Sequence, residues 1–139
     1  MEQWKMIEPI PGDHIRVESN GYYHHGIYIG NNEVIQFGLP FDMFKDHKDI
    51  KIIKSPIEDF LHGGFLEVRV YAKKELKLKK SNDEIIQTAY SMLGKGDYNL
   101  LHNNCEHFAN FCVFGVAISS QVDNVHKQIK DLLKNRKEK

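Results

Sequence analysis

The residues best suited to chemistry lie in one segment, His102-Asn103-Asn104-Cys105-Glu106-His107-Phe108. Asn103 is a good helix N-cap, and Glu106 stands three residues later, which is the spacing of a capping box. This pattern predicts that Cys105 lies in the first turn of a helix. Unpaired amides and the positive end of the helix dipole stabilise a thiolate there, and the same amides can bind an oxyanion. The position therefore favours a nucleophilic cysteine.

Three other roles for this cysteine have to be weighed. A buried structural thiol is the commonest fate of a free cysteine, and from the residues alone it stays open for Cys105. It is the prediction for Cys112, in the apolar run 111–114. A disulfide between the two within one helix is excluded, because seven residues of helix span ~10 Å and a disulfide reaches ~7 Å. Zinc is disfavoured, because Cys105 and His107 point to different helix faces and no Cys-x2-Cys or His-x3-His pair is present. No metal and no other cofactor is expected.

A nucleophilic cysteine needs a base, and a predicted β-hairpin supplies the best candidate. Two β-rich runs, 26–30 and 34–37, flank Asn31-Asn32. A three-residue loop from Asn31 to Glu33 pairs Tyr28 with Gln36 and separates the faces cleanly, as a sheet with one buried face needs, whereas a two-residue loop mixes them. One predicted face carries Ile27, Ile29, Ile35 and Phe37, and the other carries His24, Gly26, Tyr28 and Gln36.

This hairpin selects one histidine among the eight in the chain. His24 shares its face with Gln36, and the two side chains can hydrogen-bond, so His24 is the candidate base and Gln36 the group that orients it. His25 points to the core face and is predicted to be a packed, satisfied histidine. Four other histidines occur in polar or terminal contexts and are predicted to be solvated; they are His14, His47, His62 and His126.

The elements that must position these residues are strands first and helices afterwards. Further strands are predicted at 14–18 and 65–71, with a short one at 50–54, and a charged strand end or connector is predicted at 73–80. Capping boxes open helices at Ser55 and Ser81, a third helix runs from Asn104 to about Phe114, and a last helix covers about 121–136. This order predicts an α+β fold, an antiparallel β-sheet packed against helices.

Composition narrows the function further. The 139 residues suit one domain, 1–139. With 19 Lys+Arg against 19 Asp+Glu, the chain lacks the net positive charge that is typical of a nucleic-acid binder, so no nucleic-acid partner is expected. No apolar run approaches the ~18 residues of a membrane span, and the N-terminus has no signal peptide, so a cytoplasmic protein is expected. Six Lys/Arg against two acids in 127–139 could favour contact with an anionic membrane surface through the C-terminal helix; a solvated helix face is the favoured alternative.

Three motifs together resemble the lecithin:retinol acyltransferase-like (LRAT-like) domain family. They are Pro11-Gly12-Asp13, His24-His25-Gly26-Ile27-Tyr28-Ile29-Gly30 and Asn103-Asn104-Cys105-Glu106-His107-Phe108. The similarity runs from about Pro11 to the stretch 119–122, so the expected domain core is about 11–122. It implies a circularly permuted relative of papain-like and NlpC-type thiol enzymes. Gln36 stands where the family often has a second histidine, and a neutral amide stabilises imidazolium less than a carboxylate would.

The resemblance implies roles for the candidate residues. Cys105 would be the acyl-accepting nucleophile, His24 the base and Gln36 the third catalytic residue, while Tyr28 and Asn104 are candidate substrate-binding residues. The implied activity is phospholipid acyltransfer or phospholipase A activity through a thioester. The alternatives are an NlpC-type thiol peptidase or amidase, whose machinery attacks amides, and a non-catalytic binding or regulatory module. The oligomeric state is left open.

Overall fold

A computed structural model of the chain describes residues 2–19, 21–42, 45–100 and 103–116. The helix predicted for about 121–136, the basic stretch 127–139 and His126 lie outside the described residues. Within the described ranges, no helix has the length and apolar character needed to cross a membrane.

In the described ranges, six strands form one antiparallel sheet in the order β1-β6-β2-β3-β4-β5. Four α-helices accompany the sheet in the same ranges, so the predicted α+β class with an antiparallel sheet is confirmed. The strands are β1 (Gln3–Lys5), β2 (His14–Ser19), β3 (Tyr22–Gly30), β4 (Glu33–Phe37), β5 (Ile52–Pro56) and β6 (Leu66–Val70). The helices are α1 (Ile57–Leu61), α2 (Lys73–Leu78), α3 (Asn82–Ser91) and α4 (Cys105–Phe114). The edge strand β1 has no counterpart among the predicted strands.

Helix starts follow the sequence in one case and depart from it in another. Ser81 caps α3, and its hydroxyl accepts the Glu84 N–H at 3.2 Å, as the capping box predicts. Ser55, read as a similar cap, instead lies inside β5, and Pro56 occupies the N-cap of α1. The charged stretch 73–80 was expected to be a strand end or connector, but most of it forms α2. Its first turn is closed by Glu75, whose carboxylate accepts the Ala72 N–H at 2.9 Å.

The hairpin of β3 and β4 has a two-residue loop, so the three-residue loop is wrong. Asn31 and Asn32 have φ of 53° and 58°, the left-handed pair that type I′ turns require. A register shift between Tyr28 and Gly30 follows, and Gln36 lies opposite Gly26 rather than Tyr28. A two-residue loop alone would put Gln36 on the same face as Ile27, and the register shift returns Gln36 to the face of His24. His24, Tyr28 and Gln36 therefore still share one face.

Both faces of the central strands are buried, whereas the predicted hairpin had one buried face. Ile27 and Ile35 pack with residues of α3 and α4 on one side. Tyr28 and Val34 pack with Phe60 of α1 on the other. Gly26 permits this second layer, because a Cβ at that position would lie 2.8 Å from the Phe60 ring. Side chains that alternate along β3 thus enter two separate interiors.

Candidate active site

The N-terminus of α4 is built around Asn104 and Cys105. Asn104 is the N-cap, and its side-chain oxygen accepts the N–H groups of Glu106 and His107, each at 3.0 Å. The Asn104 N–H donates in return to Nδ1 of His107 at 3.1 Å. The cap is therefore one residue later than predicted, and His107 closes the box instead of Glu106. Cys105 is the first helical residue, within the first turn as the sequence predicts.

The Cys105 sulfur is buried, with 1% of the residue exposed. Its Sγ lies 3.1 Å from the Tyr22 hydroxyl and 4.0 Å from the Tyr23 carbonyl oxygen. Burial raises the pKa of the thiol to about 11, although the Tyr22 hydroxyl and the backbones of His25 and Glu106 act in the opposite direction. Desolvation thus outweighs the helix-start effect that the sequence suggested. The resting sulfur is a neutral thiol at physiological pH.

Two tyrosines complete the surroundings of the sulfur, and the sequence analysis missed both. Burial is the largest influence on the pKa of Tyr22 and on that of Tyr98; it raises the former strongly and the latter to about 12. Both hydroxyls therefore keep their protons, and they hydrogen-bond each other. Tyr22 is two residues from His24 in β3, which is the one signal that could have pointed to it. Tyr98 lies in the loop before α4 and carries no such signal.

His24 and Gln36 meet as predicted. Nε2 of His24 lies 2.7 Å from Oε1 of Gln36, and the Gln36 amide donates to the hydroxyl of Ser55. Burial lowers the pKa of His24 to about 4, opposed by the hydrogen bond to Gln36, the carboxylate of Asp42 and the backbone of Gly38. Ser55 was missed because its Ser-Pro sequence resembles a helix cap.

The structure does not bring Cys105 and His24 into hydrogen-bond contact. Over the described ranges, the side-chain hydrogen bonds of the sulfur go to Tyr22 and Tyr23. The His24 ring instead packs against Phe60, with 5.3 Å between the ring centroids. The Asp42 carboxylate acts electrostatically on both His24 and Tyr98 and raises the pKa of each.

The two candidate substrate-binding residues have structural partners. Tyr28 is 9% exposed, belongs to the apolar cluster on the α1 side, and accepts the Asn32 N–H at 3.3 Å. The Asn104 side chain caps α4 and donates to the Leu100 carbonyl at 2.7 Å. Neither side chain contacts the Cys105 sulfur.

A second buried histidine cluster occupies the other face of β3. Nε2 of His14 lies 2.8 Å from Nδ1 of His25, whose Nε2 lies 4.0 Å from the Glu106 carboxylate. Burial lowers the pKa of His25 to about 3 and that of His14 well below its usual value. His25 is packed as predicted. His14 was expected to be solvated and is instead fully buried, because the Trp4 ring of β1 covers it at 4.9 Å.

Both cysteines are free and buried, and Cys112 is packed as predicted. Among the described residues, no three His, Cys, Asp or Glu side chains are grouped so as to hold a metal ion. His102, one of the residues weighed as a zinc ligand, is outside the described ranges.

Comparison with known proteins gives a consistent result. The sequence model of a family described as lecithin retinol acyltransferase matches residues 7–118. The lecithin retinol acyltransferase of Rattus norvegicus is 31% identical over 148 residues, which cover 91% of this chain and 63% of the rat protein. Phospholipase A and acyltransferase 5 of Homo sapiens is 33% identical, with 84% of this chain and 44% of the human protein covered. Phospholipase A and acyltransferase 4 of Homo sapiens is 28% identical over 88% of this chain and 80% of its own length. The chain thus spans less than two thirds of the length of the rat protein.

Proposed function

Because the chain belongs to the lecithin retinol acyltransferase family, we propose that it transfers acyl groups from a phospholipid ester through a thioester on Cys105. The names of the relatives, lecithin retinol acyltransferase and phospholipase A and acyltransferase, support this class of donor. The family match covers the segment that holds Cys105, His24 and Gln36.

One observation carries the proposal: Cys105 is the first residue of α4, and its Sγ lies 3.1 Å from a tyrosine hydroxyl. In the proposed reaction a base removes the thiol proton, and the sulfur attacks the ester carbonyl. The tetrahedral intermediate collapses to a thioester, and the lysophospholipid alcohol leaves with the proton returned by the base. Water or an acceptor hydroxyl or amine then attacks the thioester and regenerates the thiol.

We assign the base to His24 because the polar groups around its ring favour a positive charge and oppose the effect of burial. A base carries that charge while it holds the proton of the thiol. Gln36, Asp42 and the Gly38 backbone all raise the pKa of His24 and so oppose the effect of burial. The His25 ring has the opposite setting, since Arg16, Arg69 and His24 lower its pKa and the Glu106 carboxylate alone raises it. His24 is the histidine of β3 that is better suited to become imidazolium.

Tyr22 and the backbone of Cys105 are the candidate donors to the developing oxyanion. The Tyr22 hydroxyl keeps its proton because burial raises its pKa, and it lies close enough to the sulfur to reach an attacked carbonyl. The N–H groups of Glu106 and His107 are occupied by Asn104. The Cys105 N–H is therefore the amide of this turn that we assign to the oxyanion.

The resting arrangement has to open before reaction. The sulfur is buried and in contact with Tyr22 instead of His24, so a bound ester must displace side chains and bring thiol and imidazole together. Catalytic hydrogen bonds often tighten only when substrate binds. The protonated thiol of the resting state fits a mechanism in which proton removal and attack occur together.

Intact-mass spectrometry after incubation with phosphatidylcholine vesicles tests the proposal. We expect an adduct with the mass of one acyl chain, absent in Cys105→Ala and retained in Cys112→Ala, the matched control for the other buried thiol. A peptide thioester or amide donor is run beside the lipid. An adduct from the peptide alone would replace the proposal by the NlpC-type peptidase activity. An intact, folded protein that forms no adduct with either donor would favour a non-catalytic module.

A further inference from the structure

A concave region lies toward the opposite end of α4 from the candidate active site. It is a cavity of about 1150 Å³ between β1, α2 and the end of α4. Phe114 and Val116 line it, and nine residues of helix, ~14 Å of rise, separate Phe114 from Cys105. Asn110 also lines the cavity, five residues of helix (~7.5 Å of rise) from Cys105. A ligand held beside Phe114 and Val116 therefore binds apart from the reacting sulfur.

The cavity wall is cationic. Five basic side chains line it against the two acids Glu2 and Glu75; they are Arg16, Arg69, Lys74, Lys77 and Lys80. Two of the five are neutralised locally, since Arg16 pairs with Glu67 at 3.2 Å and Arg69 with Glu75 at 2.7 Å.

The three lysines remain available to a ligand. All three are exposed, and no described carboxylate lies within 4.0 Å of Lys74, Lys77 or Lys80. Their side chains can therefore gather around an anionic group without giving up an existing ion pair. Ammonium groups of this kind bind phosphate as point charges.

Apolar side chains stand beside these cations. Leu78 is 70% exposed and Val116 is 51% exposed, and both line the cavity together with Trp4 and Phe114. Large apolar side chains exposed next to a row of lysines match a ligand that has an anionic group at one end and hydrocarbon at the other.

We propose that this cavity is a binding site for an anionic phospholipid, distinct from the reacting ester, which holds the protein against an anionic lipid surface. The phosphate lies among Lys74, Lys77 and Lys80, and the acyl chains contact Leu78 and Val116. This proposal rests on the proposed function, because an enzyme with a lipid substrate acts at a lipid surface.

Vesicle co-sedimentation with the full chain tests this site. Binding to phosphatidylcholine vesicles is compared with binding to vesicles that also carry phosphatidylserine, for the wild type and for Lys74→Glu/Lys77→Glu/Lys80→Glu. We expect the triple variant to lose about a hundredfold or more in affinity for the anionic vesicles, since each lysine near such a surface contributes about fivefold. Lys48→Glu/Lys51→Glu/Lys95→Glu makes the same charge change at exposed lysines elsewhere and serves as the matched control.

Two further arms separate the outcomes. A Leu78→Ser variant is expected to bind anionic vesicles more weakly. If inorganic phosphate competes for the protein as well as anionic phospholipid does, the cavity is an anion site that does not recognise lipid, and the proposal is overturned. An equal loss of affinity in the two triple variants would overturn the proposal as well, since the effect would then come from net charge and not from this cavity. A soluble short-chain ester donor keeps the proposed function separate, because Cys105 acylation in solution is expected to be unchanged in Lys74→Glu/Lys77→Glu/Lys80→Glu. Vesicle binding remains measurable even if no acyl adduct forms.

Discussion

His24 and His25 are neighbours in β3, yet they enter two different interiors. The His24 ring lies on the α1 side, in contact with Gln36 and Phe60. The His25 ring lies on the α4 side, in contact with His14 and covered by Trp4. Both are buried, and burial lowers the pKa of each. The difference is in what surrounds them.

Around His24 a hydrogen bond to Gln36, the Asp42 carboxylate and the Gly38 backbone all oppose the effect of burial on the pKa. Around His25 the Glu106 carboxylate opposes burial, but Arg16, Arg69 and His24 act with burial to lower the pKa. His24 can therefore hold a proton briefly, as catalysis needs, whereas the cations near His25 add to the cost of its protonation. Adjacent residues of one strand thus acquire different chemistry from their neighbours alone.

The largest expected effect that separates the two is on the rate of thioester formation. His24→Ala removes the proposed base and should lower the rate by about 10²- to 10⁴-fold, the usual contribution of general base catalysis. His25→Ala should change the rate of the folded protein by less than about tenfold, since its ring is not assigned to the reaction. The measurement is the rate of acyl-adduct formation by mass spectrometry, scaled to folded protein. Equal losses in both variants would remove the distinction.

The next effect is on stability and runs the other way. His25→Ala opens a cavity beside Trp4 and leaves the buried His14 with an unmade hydrogen bond, so we expect the free energy of unfolding to fall by about 2–4 kcal/mol. Denaturant unfolding followed by tryptophan fluorescence measures this directly. The exposed His62 provides the control, since His62→Asn keeps a residue suited to its left-handed φ of 45°. A loss below about 1 kcal/mol would show that the second cluster is not structural.

Acid should lower the stability of the fold through the buried histidines of both clusters. The folded-state pKa values of His14, His24 and His25 all lie below the usual 6.5, so the unfolded chain binds protons first as the pH falls. Stability from His24 and His25 is complete above pH 6.5 and is lost as the pH falls from 6.5 to about 4 for His24 and to about 3 for His25. Each contributes a slope of about 1.4 kcal/mol per pH unit in that window.

The matched test of this slope compares His25→Gln with His62→Asn. We expect the first variant to show a shallower dependence of unfolding free energy on pH and the second to keep the wild-type slope. Identical slopes in the two variants would mean that His25 is not held neutral in the folded state.

The smallest expected change sharpens the role of Gln36. Gln36→Glu puts a carboxylate beside His24 and raises the pKa of its imidazole, by about one pH unit or more. The rate of thioester formation requires neutral His24, so its acid limb, expected near pH 4 in the wild type, should move to higher pH. A pH–rate profile measures the shift, with Glu8→Gln as a control that changes a carboxyl at an exposed position. If the acid limb of the profile did not move, protonation of His24 would not control the rate of thioester formation.

The sequence located much of the fold because local patterns were consistent with it. The capping box at Ser81 predicts the start of α3, and the Asn-Cys segment places Cys105 in the first turn of α4. The alternation of β3 and β4 groups His24 with Gln36. The loop length was wrong because a local irregularity in β3 changes the register without a sequence signal strong enough to reveal it.

Some assignments failed because one residue type serves several roles. Ser55 before Pro56 resembles a helix cap, and only the pairing of β4 with β5 shows that its hydroxyl accepts from Gln36. His14 looks solvated in a polar stretch, and only the pairing of β1 with β6 brings Trp4 over it. These contacts join segments distant in sequence.

The sequence by itself determined the fold class, the family resemblance, the helix-start position of Cys105 and the shared face of His24 and Gln36, because each rests on local periodicity or capping. Only the tertiary structure decided that Cys105 is buried with Tyr22 and Tyr98, and that both faces of β3 are covered. It also decided that His25 lies near both a carboxylate and two arginines, while the polar groups near His24 all favour its protonation. Burial and electrostatics depend on what the chain brings together from a distance, and these set the protonation state of each candidate residue.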